Sequence, residues 1–167
     1  MPAIIVYTSF IYGHHKGGLT MEMKKILFTT DFSEGASHSL SYAVDMAKTY
    51  GAKLYLLNVI QDMAMSPGLH IPHGSVDIMY QELEANAKKA IEKLCLATCE
   101  DFKNTESSVV RGIPYEEILK FAAEKEISLI VIGTHGRKGL DRVLFGSTAE
   151  RVVRNAPCPV LTVRMPI

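Results

Sequence analysis

The chain has 167 residues, with 18 Lys plus Arg balanced by 18 Asp plus Glu. This length suits one domain with a sizeable core, and the balanced charge excludes a global attraction to nucleic acid or membrane surfaces. No apolar run approaches the roughly 20 residues that span a bilayer, and the three cysteines form no metal-binding or redox motif. The sequence therefore predicts a reduced, cytoplasmic protein without a nucleic-acid or membrane partner.

Residues 1–22 are expected to be an N-terminal extension of a domain that covers 23–167. Residues 4–12 are apolar and β-prone, and the segment lacks the basic start and cleavage site of a signal peptide. Two hypotheses stay open. In the first hypothesis, residues 1–20 are an upstream extension and the natural start is Met21 or Met23. In the second, residues 4–12 add an edge strand or a dimer contact.

Strands and helices are predicted to alternate from residue 24 onward. Five short apolar runs indicate buried strands, and apolar residues at helical spacing indicate four helices. Gly51 is expected to end the first helix, and Pro114 to open the third. The predicted strands cover 24–30, 54–59, 108–111, 129–132 and 159–163. The predicted helices cover 34–50, 76–103, 114–125 and 148–155.

This alternation predicts an α/β fold with a single domain. Its expected core is an open five-stranded parallel sheet with helices on both faces, Rossmann-like, in strand order 3-2-1-4-5. In such sheets ligands bind off the carboxyl ends of the strands, where the strand order reverses. If the first and fourth strands are neighbours, Asp31 and the loop after Gly133 line the same crevice.

A glycine-containing segment follows the fourth predicted strand. It reads Gly-x2-Gly-x9-Gly-Ser, from Gly133 through Gly136 and Gly146 to Ser147. Glycine allows backbone N–H groups to approach an anion, and a helix N-terminus adds unpaired donors and positive partial charge, which suits phosphate. The spacing matches neither a Walker A loop nor the dinucleotide fingerprint. The alternative is that these glycines only form a long turn and a helix cap.

Several segments together resemble the universal stress protein family, in its ATP-binding branch. They are residues 25–34, 112–118, 132–136, 146–152 and 156–164. The resemblance implies ATP, or else ADP or AMP, as ligand, with Mg²⁺ or Mn²⁺ bridging the phosphates as an open alternative. It also implies a homodimer through residues 160–164, whose exposed strand edge invites pairing with a second copy.

The same resemblance implies one nucleotide site built from separate segments. The adenosine end is assigned to the tips of the first two strands, at Thr29, Thr30, Asp31 and Val59. The ribose is assigned to Ile132 and Gly133. The phosphates are assigned to Gly136, Gly146, Ser147 and Thr148, with His135 and Arg137 adding positive charge nearby. One departure from the family pattern is Thr29, which stands where a proline is common.

Each of these residues also has a purely structural interpretation. Asp31 precedes a helix start, so it could be only a cap or a first-turn carboxylate, and Ser147 could be only an N-cap. Arg137 and Lys138 could belong to a solvated basic loop. His135 is the one candidate for a catalytic histidine, but no serine, cysteine or carboxylate is placed by motif to work with it. No catalytic residue and no protein metal ligand is assigned.

The expected function is that of an ATP-binding stress-response protein with a regulatory role and little or no hydrolysis. Two alternatives remain open from the sequence. One is a slow nucleotide hydrolase or nucleotidyl-transfer enzyme that uses the same site. The other is a dimerisation module that binds no nucleotide. The sequence does not indicate which protein partners the chain has.

Overall fold

The computed structural model describes residues 4–7, 22–62, 73–98, 102–134 and 146–165. Strands and helices alternate through these segments after one N-terminal strand. The strands are β1 (Ile4–Tyr7), β2 (Lys25–Thr30), β3 (Lys53–Gln61), β4 (Thr105–Gly112), β5 (Leu129–Gly133) and β6 (Val160–Val163). The helices are α1 (Glu34–Tyr50), α2 (His73–Thr98), α3 (Pro114–Glu124) and α4 (Ser147–Asn155).

The six strands form one sheet in the order β1-β6-β5-β2-β3-β4. The strands β2 to β6 are parallel and, counted along the chain from β2, follow the predicted order 3-2-1-4-5. The chain moves outward from β2 through β3 to β4 and then returns to the other side of β2 as β5. The strand order therefore reverses between β2 and β5, which is where a ligand crevice is expected.

Side chains of the central strands alternate between two cores. Phe28 and Leu56 pack with residues of α1 and α2, whereas Leu27 and Leu57 pack with residues of α3 and α4. All four side chains are fully buried, and each contributes about 1.5–3 kcal/mol by leaving water. Burial on both faces explains why these strands are continuously apolar rather than alternating.

The ends of α1 follow the predicted capping residues. Ser33 is the N-cap, and its side chain accepts a hydrogen bond from the N–H of Ala36 at 3.2 Å. Gly51 adopts φ 61°, and its N–H reaches carbonyls of the last turn. A left-handed residue at this position is least strained as glycine, so the predicted end of the helix is confirmed.

Other predicted boundaries need correction. β3 and β4 extend further than predicted because their ladder continues from Leu54 opposite Thr105 to Gln61 opposite Gly112. Among the described strands β4 pairs only with β3, so it is an edge strand and contains polar residues. A prediction based on apolar runs therefore made the two strands too short. α2 begins and ends before its predicted bounds. Leu83, expected on its inner side, is 39% exposed.

The helix α2 has 26 residues but is amphipathic rather than apolar throughout. Ala87 and Ile91 are buried, while Lys88 and Glu92 are exposed. No helix among the described segments combines the length and the apolar character that crossing a membrane requires.

The strand β1 pairs with β6 in antiparallel orientation, with Ile4 opposite Val163 and Tyr7 opposite Val160. The hypothesis that the N-terminal segment adds an edge strand is therefore confirmed for these four residues. The expectation that residues 160–164 offer an exposed edge is wrong, because β1 covers the outer side of β6. The homodimer itself stays a prediction.

Candidate functional site

The carboxyl ends of β2 and β5 lie side by side at the point where the strand order reverses, which is where a ligand crevice is expected. Phe28 pairs with Val131, so Thr29 and Ile132 are the next residues along the two neighbouring strands. Asp31 follows the end of β2, and Gly133 is the last residue of β5. Residues that lie about 100 positions apart in sequence are thus brought to the same end of the sheet.

A tight turn connects β2 to α1 on one side of this crevice. The hydroxyl of Thr30 accepts a hydrogen bond from the N–H of Phe32 at 2.9 Å, and Asp31 Oδ1 accepts one from the N–H of Ser33 at 3.0 Å. Phe32 adopts φ 62°, which sharpens the turn. Asp31 therefore shapes the turn, while Ser33 rather than Asp31 caps the helix.

The other side of the crevice begins where β5 ends. The N–H of Thr134 donates to the carbonyl of Val163 at 2.9 Å, and the carbonyl of Thr134 accepts from the N–H of Gly146 at 2.7 Å. These bonds fix the position of Gly146 beside the end of β5. Consequently the start of α4 lies at the same edge of the sheet as the turn after β2.

The first turn of α4 has no side-chain cap among the residues that the structure describes. Gly146 is the N-cap in an extended conformation, and no described side chain accepts a hydrogen bond from the first N–H groups. Ser147 is the first helical residue and is exposed, and Thr148 is half-buried. The interpretation of Ser147 as an N-cap is therefore wrong. An uncapped helix N-terminus presents donors and positive partial charge to an anion.

Acidic charge is also present in this turn. Glu150 lies in the first turn of α4, and its carboxylate pairs with Arg154 at 3.0 Å one turn further on. Both side chains are largely exposed, so this pair is weak. The arginine nevertheless offsets the negative charge near the helix start.

Val59 brings backbone groups of β3 toward the crevice. The N–H of Lys53 donates to the carbonyl of Lys24 ahead of β2, whereas Asp62 donates to Gly112 at the end of β4. Residues of a parallel strand alternate between their two neighbours, so odd-numbered residues of β3, including Val59, face the β2 side. Because β2 ends at Thr30, opposite Asn58, the Val59 carbonyl points past the end of β2. β3 continues to Gln61, so Val59 is not the last residue of its strand as predicted.

Three other predicted site residues are buried in the structure. Thr29 and Thr30 are each 6% exposed, and Ile132 is also 6% exposed within the core shared with α3 and α4. Ile132 therefore packs as a core side chain. Any contact that it makes with a ligand would come from its backbone.

The remaining predicted site residues lie outside the described residues. They are His135, Gly136 and Arg137, in the segment between Thr134 and Gly146. Their assignments therefore stay predictions.

Sequence reasoning missed two buried polar residues that organise the crevice. The Asn58 amide donates to the carbonyl of Thr30 at 2.7 Å, which ties the tip of β2 to β3. Thr134 is 3% exposed and holds both β6 and Gly146 through its backbone. A buried Asn within the apolar run 54–59 was the available signal, because a buried amide needs a specific partner.

No three His, Cys, Asp or Glu side chains come together as a metal site in the part of the chain that the structure describes. A cation at this crevice would therefore have to be held mainly by the ligand and by water. Magnesium commonly binds in that way when phosphates are present.

The fold and this crevice define a doubly wound α/β protein whose candidate site combines a strand-tip turn with an open helix N-terminus. A model of the universal stress protein family matches residues 22–164. The chain therefore belongs to the universal stress protein family.

Individual relatives agree with this assignment. Universal stress protein MJ0531 of Methanocaldococcus jannaschii is 36% identical over 144 residues, which cover 86% of this chain and 83% of the relative. The solved structure of protein MJ0577 from the same organism superposes with a TM-score of 0.78 at 29% identity, covering 87% and 99% of the two chains. A universal stress protein from Archaeoglobus fulgidus, solved in complex with dAMP, has a TM-score of 0.60 at 21% identity and covers 86% and 99%. The last likeness shows the shared fold.

Proposed function

We propose that the crevice between β2 and β5 binds an adenine nucleotide, ATP in the first place, and that its occupancy serves a regulatory role with little or no hydrolysis. The observation that supports this most is the convergence of two unlike features. The turn at Asp31 offers a carboxylate and backbone groups suited to a nucleoside. The uncapped start of α4 offers N–H donors suited to phosphates.

The adenosine end would lie between β2 and β3. The Val59 carbonyl would accept a hydrogen bond from the adenine amino group, because it faces the open side of the strand tip. The carboxylate of Asp31 would accept bonds from ribose hydroxyls. The backbone of Ile132 and Gly133 would border the sugar. The universal stress protein from Archaeoglobus fulgidus, which has the same fold, was solved in complex with dAMP.

The phosphates would lie at the start of α4. The N–H groups of Gly146, Ser147 and Thr148 and the two hydroxyls would bind their oxygens, with Gly136, His135 and Arg137 as further proposed contacts. A Mg²⁺ or Mn²⁺ ion would bridge phosphate oxygens. Hydrolysis would stay slow because rapid phosphoryl transfer needs a general base that positions the attacking water and an arginine finger that stabilises the transition-state charge, and the motif assigns no residue to either role.

The first experiment asks whether the purified protein contains or binds a nucleotide. Protein prepared without added nucleotide is denatured, released small molecules are identified by mass spectrometry, and the emptied protein is titrated calorimetrically with Mg²⁺-ATP. A stoichiometric adenine nucleotide and saturable ATP binding are expected. An empty protein that also ignores ATP, ADP and AMP would contradict the proposal and favour a module without ligand. Steady phosphate release would favour the enzyme alternative.

Two variants test the nucleoside end and the phosphate end of the site independently. Asp31→Ala is expected to weaken adenosine and ATP binding alike, by about tenfold to a hundredfold for a lost charged hydrogen bond. The double change Ser147→Ala and Thr148→Val should weaken ATP but leave adenosine binding unchanged. Asn155→Ala, at the exposed last residue of α4, is the control and should bind both ligands normally. Equal ATP affinity in all folded variants would refute the site assignment.

A further inference from the structure

Thr29 is a buried residue whose hydroxyl group is unsatisfied. It is 6% exposed, and its side chain makes no hydrogen bond with any residue that the structure describes. By contrast, the hydroxyl of Thr30 accepts a hydrogen bond from the N–H of Phe32, and that of Ser39 donates to the carbonyl of Ala36 at 2.9 Å. A buried hydroxyl without a partner costs free energy, so this one needs an explanation.

The Thr29 hydroxyl is nevertheless reachable from outside the core. Among the described residues, Nε2 of His38 is the only polar side-chain atom that is sealed from solvent without a partner. The oxygen of Thr29 is therefore not sealed, and part of the small exposed surface of this residue belongs to it. A hydroxyl that protein encloses on most sides and leaves open on one is suited to a contact with a ligand.

Thr29 lies on the face of the sheet that α3 and α4 cover. Leu27 packs in the core of that face, and side chains alternate along a strand, so Thr29 is directed the same way. Its neighbours across the sheet are Leu57 of β3 and Ile132 of β5, which belong to the same core. Because β2 ends at Thr30, Thr29 is the last residue of that strand on this face.

The chain leaves this face of the sheet soon after Thr29. The turn at Phe32, with φ 62°, leads into α1, which packs on the opposite face. β3 and β5 continue on either side of β2, to Gln61 and Gly133. They lie two strand spacings apart, about 10 Å. The position beyond Thr29 is thus flanked by two strands, and no further residue of β2 fills it.

We propose that the hydroxyl of Thr29 donates a hydrogen bond to N3 of the purine ring and thereby orients the nucleoside. This inference rests on the proposed function. With the adenine amino group at Val59 of β3 and the ribose beside Gly133 of β5, the glycosidic bond would lie over the end of β2, above Thr29. The ring nitrogen nearest to that bond is N3, an acceptor that matches an O–H donor.

This contact is not part of the family pattern. The proline that is common at position 29 in the family has neither a hydroxyl group nor an N–H. Thr29 supplies a hydroxyl instead and remains in the ladder of β2, opposite Leu57 of β3. The departure from the pattern therefore adds a hydrogen-bond donor at the nucleoside end of the site.

Three variants isolate the hydroxyl. Thr29→Val removes it but keeps a β-branched side chain of nearly the same shape. Without ligand this variant should be at least as stable as the wild type in urea, because it loses an unpaired buried hydroxyl. Thr29→Ser keeps the hydroxyl. Thr105→Val makes the same replacement at the first residue of β4, at the opposite end of the sheet, and is the matched control.

Calorimetric titration of the emptied protein with adenosine and with 3-deazaadenosine, in which a C–H replaces N3, tests the contact. The wild type, Thr29→Ser and Thr105→Val are expected to bind adenosine about threefold to tenfold more tightly than the deaza compound. In Thr29→Val this preference should be lost. The ratio of the two affinities is compared between proteins, so general effects of a substitution or of the altered base cancel.

The possible outcomes distinguish this contact from the site as a whole. If Thr29→Val kept the preference of the wild type for adenosine, the contact would be refuted while the nucleotide site stood. Equal affinity of the wild type for both compounds would refute it in the same way. A marked loss of stability in ligand-free Thr29→Val would assign the hydroxyl to the fold instead. A wild type that binds neither adenosine nor ATP would overturn the proposed function together with this contact.

Discussion

Gly133, the last residue of β5, lies against the backbone of Gly35 in the first turn of α1. A Cβ atom on Gly133 would be 3.2 Å from the Gly35 carbonyl oxygen and 3.3 Å from its carbonyl carbon. Because both neighbouring atoms are backbone, neither can rotate away. A side chain at position 133 would therefore force the start of α1 to shift by a few tenths of an ångström.

Gly133→Ala is therefore expected to lower the free energy of unfolding by about 1–3 kcal/mol, the usual cost of overpacking. The displaced helix start should also weaken ATP binding. Gly51→Ala is the control, since its cost of about 1–2 kcal/mol comes from a left-handed φ far from the crevice. Urea denaturation and calorimetry should show lost stability in both variants, but lost binding only in Gly133→Ala. If the free energy of unfolding of Gly133→Ala equalled that of the wild type, the start of α1 would move aside without measurable cost, and the predicted overpacking would be wrong.

The Asn58 amide should contribute measurably to stability. It donates to the Thr30 carbonyl at 2.7 Å, and both residues are buried. Asn58→Ala leaves that carbonyl without this donor, at a cost of about 1–3 kcal/mol. Asn155→Ala removes an exposed amide bond to the Arg151 carbonyl and should change stability by less than about 0.5 kcal/mol. Equal urea midpoints for the two variants would contradict this assignment.

Cys158 should resist alkylation in the folded protein. Burial raises the pKa of the Cys158 thiol to about 11, although a backbone hydrogen bond involving Ile130 opposes the shift. At pH 8 only about one molecule in a thousand would carry the reactive thiolate. Iodoacetamide labelling with peptide mapping should therefore modify half-buried Cys95 before Cys158. In denaturant both should react at similar rates, and fast native labelling of Cys158 would contradict its burial.

Glu106 should make a small, pH-dependent contribution to stability. Its two carboxylate oxygens pair with Lys53 at 2.7 Å and Lys125 at 3.2 Å. The hydrogen bond from Lys53, followed by that from Lys125, lowers the pKa of Glu106. Since the side chains are partly exposed, Glu106→Gln is expected to cost less than about 1 kcal/mol at neutral pH.

The sign of the pH dependence follows from the lowered pKa. The stabilisation by Glu106 is present above the pKa of the unfolded state and is lost as the pH falls through the lower pKa of the folded state. The stability difference between wild type and Glu106→Gln should therefore shrink on acidification. Glu84→Gln, which breaks an exposed pair with Lys88, should show little difference at any pH. A gap that widens in acid would contradict the assigned pairing.

The sequence by itself determined the order of strands and helices and the family of the chain. The local signals were apolar runs, helical periodicity, the glycine at position 51 and the proline at position 114. The structure confirms the elements that they predict. The parallel sheet and its reversal between β2 and β5 also followed, because βαβ alternation leaves few arrangements.

Only the tertiary structure decided which groups meet. Register and packing between distant segments decide three features of the site. These are the hydrogen bond from Asn58 to Thr30, the approach of Gly133 to Gly35 and the uncapped start of α4. The pairing of β1 with β6 joins the two ends of the chain and reverses the expectation of an open edge. A strand's own residues show that it is apolar but not which strand will pair with it, because that choice is made by non-local hydrogen bonds.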